Sequence, residues 1–507
     1  MKLKNIFIAG LALNLGLSAC TGTFLDEKTN PNYLTPSTFW KSEGDIVKGL
    51  TSAYAYLQPN MAWGMPFERY IVIDNYRSDE LDFRADVTSW MNLAMYNNSP
   101  NASLGYGEWR DLFKGINYSN QCIDNIPHVE GVSEELKNCS LAEARFLRAY
   151  YYYRLYLNFG ERLPLYEHEL KGTDEEFYPQ QSQPGVITGF IEKELTEVQN
   201  FLPEPDGWKP EQAGRATRYM AAGILAKFYM FRNQQDKAEK ELAKIIDCGK
   251  YGLIGNYAHL WDGLHKNSKE AVFEVQYSGN MDGGRREFNR LAVHLAPSDA
   301  EGYEEAYPSF WLFDVMKQDK TVNGDYSDRL YATILFDDPK TKAFYMEEGK
   351  QFSDYHSKDA IYWHKFVTWD ESLSQYWDWS AFNIPVIRYA DVLLLYAECL
   401  NHRGATSQAI DYINQVRARV NVTPLPKDMS KDAVLKHLQD VERPCELALE
   451  GSRWYDLIRW GIVERSLKEH KKPFAENYVD SKHKLLPIPH DEFLLNPEWE
   501  QNPNFSK

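Results

Sequence analysis

Residues 442–461 read ERPCELALEGSRWYDLIRWG, with carboxylates at Glu442, Glu446 and Glu450 spaced four apart and then Arg453, Asp456 and Arg459. Paired carboxylates are the equipment of glycoside hydrolysis, so catalysis is sought here first. On a helix these three acids share one stripe, where like charges repel. Arg443 stands three before Glu446 and Arg453 three after Glu450, so the spacing predicts local neutralisation. A carboxylate clamped by arginine has a lowered pKa and is a poor general acid. Glycoside hydrolysis instead needs one raised carboxyl facing another across a cleft. Leu447, Trp454, Leu457, Ile458 and Gly461 add an apolar stripe for packing. The stretch reads as scaffold.

Other catalytic spacings are missing from the sequence. It contains no HExxH, no GxSxG and no GxxxxGK[ST], and Gly105-Tyr106-Gly107 lacks the third glycine of a dinucleotide loop. Residues 319–328, DKTVNGDYSD, have the flavour of a calcium loop, but Leu330 stands where an EF-hand needs Glu. A looser calcium site there stays open, against a solvated loop as the default; no other cofactor is expected. His356 and His364, eight apart, read as hydrogen-bonded loop residues rather than metal ligands.

The elements that would position a site are mostly helical. Residues 141–159 are apolar nearly all round and predict a buried helix, with Tyr150 to Tyr153 pointing four ways into core or interface. Residues 216–232 and 237–246 form one helical hairpin, and 392–402 and 407–420 another, with small residues Ala221, Ala222 and Ala226 at the close approach. Such hairpins resemble tetratricopeptide repeats, although long segments separate them here. Residues 61–106 and 252–385 are instead rich in Trp, Tyr, Gly, Asn and Asp, with short strand-like runs such as 271–277. Long loops in a compact protein usually carry function, so the helices read as a platform and the aromatic loops as its working face.

Of the 507 residues, 43% are hydrophobic, enough for a large core, and the net charge of −17 excludes nucleic acid as a partner. The amino-terminal Lys2 and Lys4 precede an apolar run at residues 6–17, too short to span a bilayer, which reads as a secretory signal. Leu17-Ser18-Ala19-Cys20 resembles the lipobox of bacterial lipoproteins, with Cys20 lipidated and residues 20–36 a tether. The other five cysteines form no CxxC pair and read as buried free thiols. Residues 37–260 and 261–507 then form two parts of one globular unit.

At this point the chain resembles the SusD/RagB family of Bacteroidetes outer-membrane lipoproteins. The resemblance rests on residues 442–461, on IPVIRYADVLLLYAE at 384–398, on AIDYINQVRAR at 409–419 and on the closing pattern KLLPIP, Glu492, Asn496-Pro497 and Gln501-Asn502-Pro503. Asp328-Arg329-Leu330 resembles a further motif, without its usual proline. The resemblance implies a mostly α fold, a tetratricopeptide-like hairpin core with aromatic-rich loop excursions and a few short strands. It implies no catalysis, a place on the cell surface over a SusC-like TonB-dependent transporter, and capture of oligosaccharides for import. In that family the signature residues are structural, here Arg388, Glu398, Glu442, Arg443, Glu446, Glu450, Arg453, Asp456 and Arg459.

The family's ligand residues lie in variable loops, so chemistry nominates them. A sugar offers a C–H face for aromatic stacking and hydroxyls for polar side chains. One candidate cluster is Trp63, Phe67, Trp90 and Tyr96 beside Asp79, Asn97 and Asn98. A second is Trp369, Tyr376, Trp377 and Trp379 beside Asp370 and Asp378, and Tyr303 and Tyr307 would add a third wall. Arg285, Arg286 and Arg290 form a local basic patch. Three rival readings stay open: peptide capture in the same architecture, a surface glycoside hydrolase using acids such as Asp370 and Glu371, and a scaffold that bridges other lipoproteins.

Overall fold

The computed structural model describes residues 39–58, 72–84, 86, 88–170, 179–279, 287–370, 372 and 379–507. Helix Ser103–Asn125 packs on the long helix Glu134–Phe159, which packs in turn on Val186–Glu197. Arg218–Phe231 and Gln235–Asp247 form the next hairpin, and Gln235–Asp247 leans on Tyr389–His402, which pairs with Thr406–Arg419. Each hairpin thus buries its stripe against the next. Both expected hairpins form, with ends within a few residues of those read from the periodicity.

Ser133 caps the long helix by accepting a hydrogen bond from the Leu136 amide. Tyr150, Tyr151, Tyr152 and Tyr153 are all at most 5% exposed, so the tyrosine run is core rather than a binding stripe. Cys122, Cys399 and Cys445 are buried, Cys139 and Cys248 half-buried, and all five are free thiols. Among the described residues, no helix is long and apolar enough to cross a membrane.

The aromatic-rich segments carry more regular structure than expected. They contain helices Thr88–Ala94, Phe310–Gln318 and Asp328–Thr333. Three two-stranded antiparallel sheets clip them down: Leu81–Phe83 with Ala306–Pro308, Ala271–Val275 with Ile384–Arg388, and Ile334–Leu335 with Tyr362–Trp363. The chain end is tied to the long helix by Asn502, whose side-chain amide donates to the carbonyls of Phe159 and Leu486.

The opening stretch departs from one continuous helix. A π turn, Leu438–Glu442, leads into Arg443–Leu447, and a second helix, Arg453–Trp460, follows a break. Leu449 (φ 63°) and Gly451 (φ 74°) occupy the left-handed region in that break. At 451 the left-handed backbone favours glycine, and a Cβ would also sit in tight contact, 3.0 Å from the Cβ of Asp74.

The break sets Glu450 off the helix that carries Glu442 and Glu446, and the expected local partners are not the real ones. Glu442 accepts from Arg329 at 3.0 Å and Arg417 at 2.6 Å. Glu446 accepts from Arg329, Arg388 and Arg419, and Glu450 from Arg388 and Lys365. Arg443 instead joins Asp391 and Asp456, and Arg459 joins Asp456 and Glu398. Arg453 holds Asp79 through two 2.8 Å bonds. Arg329, Arg388, Arg417 and Arg419, far apart in sequence, thus meet the acids of the opening stretch in a buried lattice of alternating charge, and the Arg443–Asp391–Asp456–Arg459–Glu398 and Arg453–Asp79 sets are buried in the same way. Burial alone would raise Glu446, but Arg419, Arg388 and Arg329 pull it down to about 2. Burial and its arginines oppose each other likewise at Glu442, which ends well below the usual carboxylate range.

Glu80 is the exception within this interior. It is 1% exposed, its Oε1 accepts from the Leu449 amide at 3.2 Å, and its Oε2 has no hydrogen-bond partner among the described residues. Burial, opposed by Arg453 and reinforced by Asp79, raises it to about 8 from an ordinary 4.5. Protonated Glu80 favours folding, so its contribution is complete below pH 4.5 and is lost as pH rises to 8. Relative to wild type, Glu80→Gln should gain about 1.4 kcal/mol of stability per pH unit across that window. Urea unfolding at pH 6 and pH 8 measures it; a difference that does not change with pH contradicts the assignment.

Candidate functional site

Of the first cluster, Trp63 and Phe67 lie outside the described residues. The structure corrects the expectation for three of the others by placing them in the interior. Asp79 is fully buried and neutralised by Arg453, with Ser466 and His470 also bonded to it. Trp90 is 8% exposed and packs edge-on against Tyr76 and tilted against His294. Tyr96 is 5% exposed, donates its hydroxyl to the Arg77 carbonyl at 2.6 Å, and packs with Trp454, Tyr478 and His483. Rings are buried here because short helices fold the loop inward, which aromatic content alone does not report. Asn97 is exposed and Asn98 half-buried beside them.

Among the described residues one member of the second cluster, Trp379, stands near the third wall. The backbones of Asn289 and Ser380 exchange hydrogen bonds of 2.9 and 2.8 Å. This bridge sets the Phe288 and Trp379 rings in a stack, 4.9 Å apart and 10° from parallel, both half-buried. Next in the chain, Arg290 donates to the Tyr303 hydroxyl at 2.8 Å and lies 5.5 Å from the centre of its ring. Tyr303 is 39% exposed. From the other side Arg84 donates to the Tyr303 carbonyl and, at 2.6 Å, to Asp86. A line of flat rings and polar edges results: Trp379, Phe288, Arg290, Tyr303, Arg84 and Asp86.

Beyond it Tyr307 donates to Glu304 at 3.1 Å and leans on Tyr362, 6.3 Å between ring centres. His356 is bonded to Tyr345 and to Asp299, and His364 Nδ1 to the Tyr331 carbonyl, as expected of loop histidines. Trp369 meets Phe344 edge-on instead of joining the line. Tyr376, Trp377, Asp378, Arg285 and Arg286 lie outside the described residues, as does Cys20. Phe288, Arg84, Asp86 and Tyr362 were not read from the sequence; only the fold shows that they border these rings.

The line is held from behind by a tightly folded loop. The amides of Tyr303, Glu304 and Glu305 donate to the carbonyls of Val293, Ala296 and His294. Gly302 lies so close to Ala296 that an added Cβ would sit 2.1 Å from its carbonyl oxygen. Gly302→Ala must therefore displace Tyr303, and ligand affinity should fall with little loss of global stability. Calorimetric titration beside thermal unfolding separates the two, and unchanged affinity contradicts this role for the loop.

Among the described residues the geometry gives catalysis no support, and Glu371, the second acid of that rival reading, lies outside them. Asp370 accepts from the hydroxyl and amide of Ser372, which hold its pKa low, the opposite of what a general acid needs. A small half-open cavity of about 40 Å³ beside Tyr153, Lys227, Tyr455 and Arg459 suits water, not a sugar ring.

Residues 269–505 match the SusD family, and residues 23–230 match a family described as starch-binding and associating with the outer membrane. The chain belongs to the SusD family. A SusD-like protein of Formosa agariphila is 25% identical over 98% of both chains, and one of Bacteroides ovatus 27% identical over 91% of this chain and 83% of the other. A SusD superfamily structure from Bacteroides vulgatus covers 92% of this chain and all of its own, with TM-score 0.81 and 26% identity. A laminarin-binding SusD-like protein aligns over the same shares with TM-score 0.74 and 25% identity. The SusD family is one of non-catalytic binding proteins associated with the outer membrane, and this chain is a member of it.

Proposed function

We propose that this SusD family protein is a cell-surface lipoprotein, anchored through Cys20, that captures oligosaccharides and passes them to a SusC-like TonB-dependent transporter. The observation that carries the reading is the Phe288–Trp379 stack beside the Arg290–Tyr303 pair. Ring faces suit the C–H face of a pyranose, while the guanidinium and hydroxyl edges suit its hydroxyls. Arg84 and Asp86 extend the polar edge, so an extended chain of several sugars fits better than a single ring. The laminarin-binding relative makes β-glucans the first class to try.

Native gels cast with individual polysaccharides test the reading. The protein should be retarded by at least one of them, and Trp379→Ala should run as in a blank gel. Equal mobility of both proteins in every gel would count against it. The transporter half of the reading predicts that a β-barrel receptor co-purifies with the protein from detergent-solubilised outer membrane.

A further inference from the structure

After the second helical hairpin the chain makes a 3-10 turn, Tyr257–Leu260, and a loop in which His259, Asp262 and His265 stand together. Their nearest nitrogen and oxygen atoms all lie within 4.8 Å of one another. The two imidazoles are face to face, 3.9 Å between centres and 2° from parallel. His265 Nδ1 lies 2.7 Å from Asp262 Oδ2, and the other carboxylate oxygen, Oδ1, accepts from the amides of Leu264 and His265 at 2.8 and 3.2 Å. Gly263, at φ 71°, makes the turn between them. None of the three touches the aromatic line or the buried charge lattice, so neither explains them.

We propose that His259, Asp262 and His265 form a surface site for a borderline divalent metal of the zinc class. Two imidazoles and one carboxylate are the donor set of an open zinc site, which leaves a fourth position for water or an external ligand. Ligands on one tetrahedral zinc stand roughly 3.3 Å apart at bond lengths of about 2.0–2.1 Å. Closing the present 4.8 Å spread to that distance requires the two rings to turn out of their stack so that their in-plane lone pairs converge. The backbone already holds the carboxylate through Oδ1, which supplies the orienting neighbour that metal ligands normally have. Calcium and magnesium demand oxygen-rich shells and fit this donor set poorly.

The test titrates the untagged chain with zinc against a chromophoric chelator. One equivalent should bind, without competition from millimolar calcium. His259→Ala and His265→Ala should each weaken binding by more than the roughly 10–100-fold that loss of an orienting neighbour costs, while the distant His128→Ala changes nothing. A measurement on unaltered protein runs beside it: zinc should shield His259 and His265 from acylation by diethylpyrocarbonate, read by mass spectrometry. Zinc binding unchanged in His259→Ala and His265→Ala, no stoichiometric binding, or equal acylation with and without zinc would each overturn the proposal.

Discussion

Arg388→Ala should destabilise the protein by about 3–5 kcal/mol, the cost of stripping one partner from a buried charged group. Arg388 donates to Glu270, Glu446 and Glu450 and to the Glu446 carbonyl, and it is 2% exposed. Without it Glu450 keeps Lys365 and Glu446 keeps Arg329 and Arg419, so the lattice is weakened at its centre rather than erased. Against a typical net stability of about 5–15 kcal/mol, that leaves much of the variant unfolded near body temperature. Arg388→Lys should recover only a part, because one ammonium cannot span three carboxylates. Breaking the exposed pair Lys468–Glu464 should cost less than about 1 kcal/mol. Urea unfolding of the three variants gives the comparison; an Arg388→Ala midpoint close to wild type would contradict a load shared through this residue.

Trp379→Ala should weaken oligosaccharide binding by about 2 kcal/mol, roughly 30-fold, as loss of a central aromatic anchor does. Its stack with Phe288 is half-buried, so unfolding should hardly change. Trp90→Ala should do the reverse, costing about 3–5 kcal/mol of stability through a core cavity while the folded fraction binds normally. This crossed pattern separates a ligand platform from a bridging scaffold, in which both substitutions would act on stability alone. Isothermal titration with each variant, beside its thermal unfolding, reads both quantities.

The sequence was most legible where one period governs one element. The hairpin read at residues 392–402 and 407–420, the first of them by an apolar stripe at three and four, formed as helices Tyr389–His402 and Thr406–Arg419. Residues 442–461 misled because helical spacing was continued through the break at Leu449 and Gly451. There the backbone conformation is set by Asp74, Glu80 and the arginines of other segments, all distant in sequence. The charge argument still reached a structural role, since any arginine partner lowers a carboxylate pKa whichever element supplies it.

Site residues were harder to read. Composition distinguishes neither Trp90 in the core nor Trp379 on the face, because a tryptophan in a loop looks the same in both settings. What separates them is the Asn289–Ser380 bridge on one side and helix Thr88–Ala94 on the other, both tertiary facts. Arg84 and Phe288 had no signal at all, being single residues whose neighbours come from other loops.

Capture without catalysis is tested most directly by one titration. The chain from Thr21 on is titrated by calorimetry against plant, microbial and host oligosaccharides, and each mixture is assayed for new reducing ends. Saturable heat with one glycan class and no new reducing ends is the predicted result. New reducing ends, or heat with peptides and with no glycan, would contradict it.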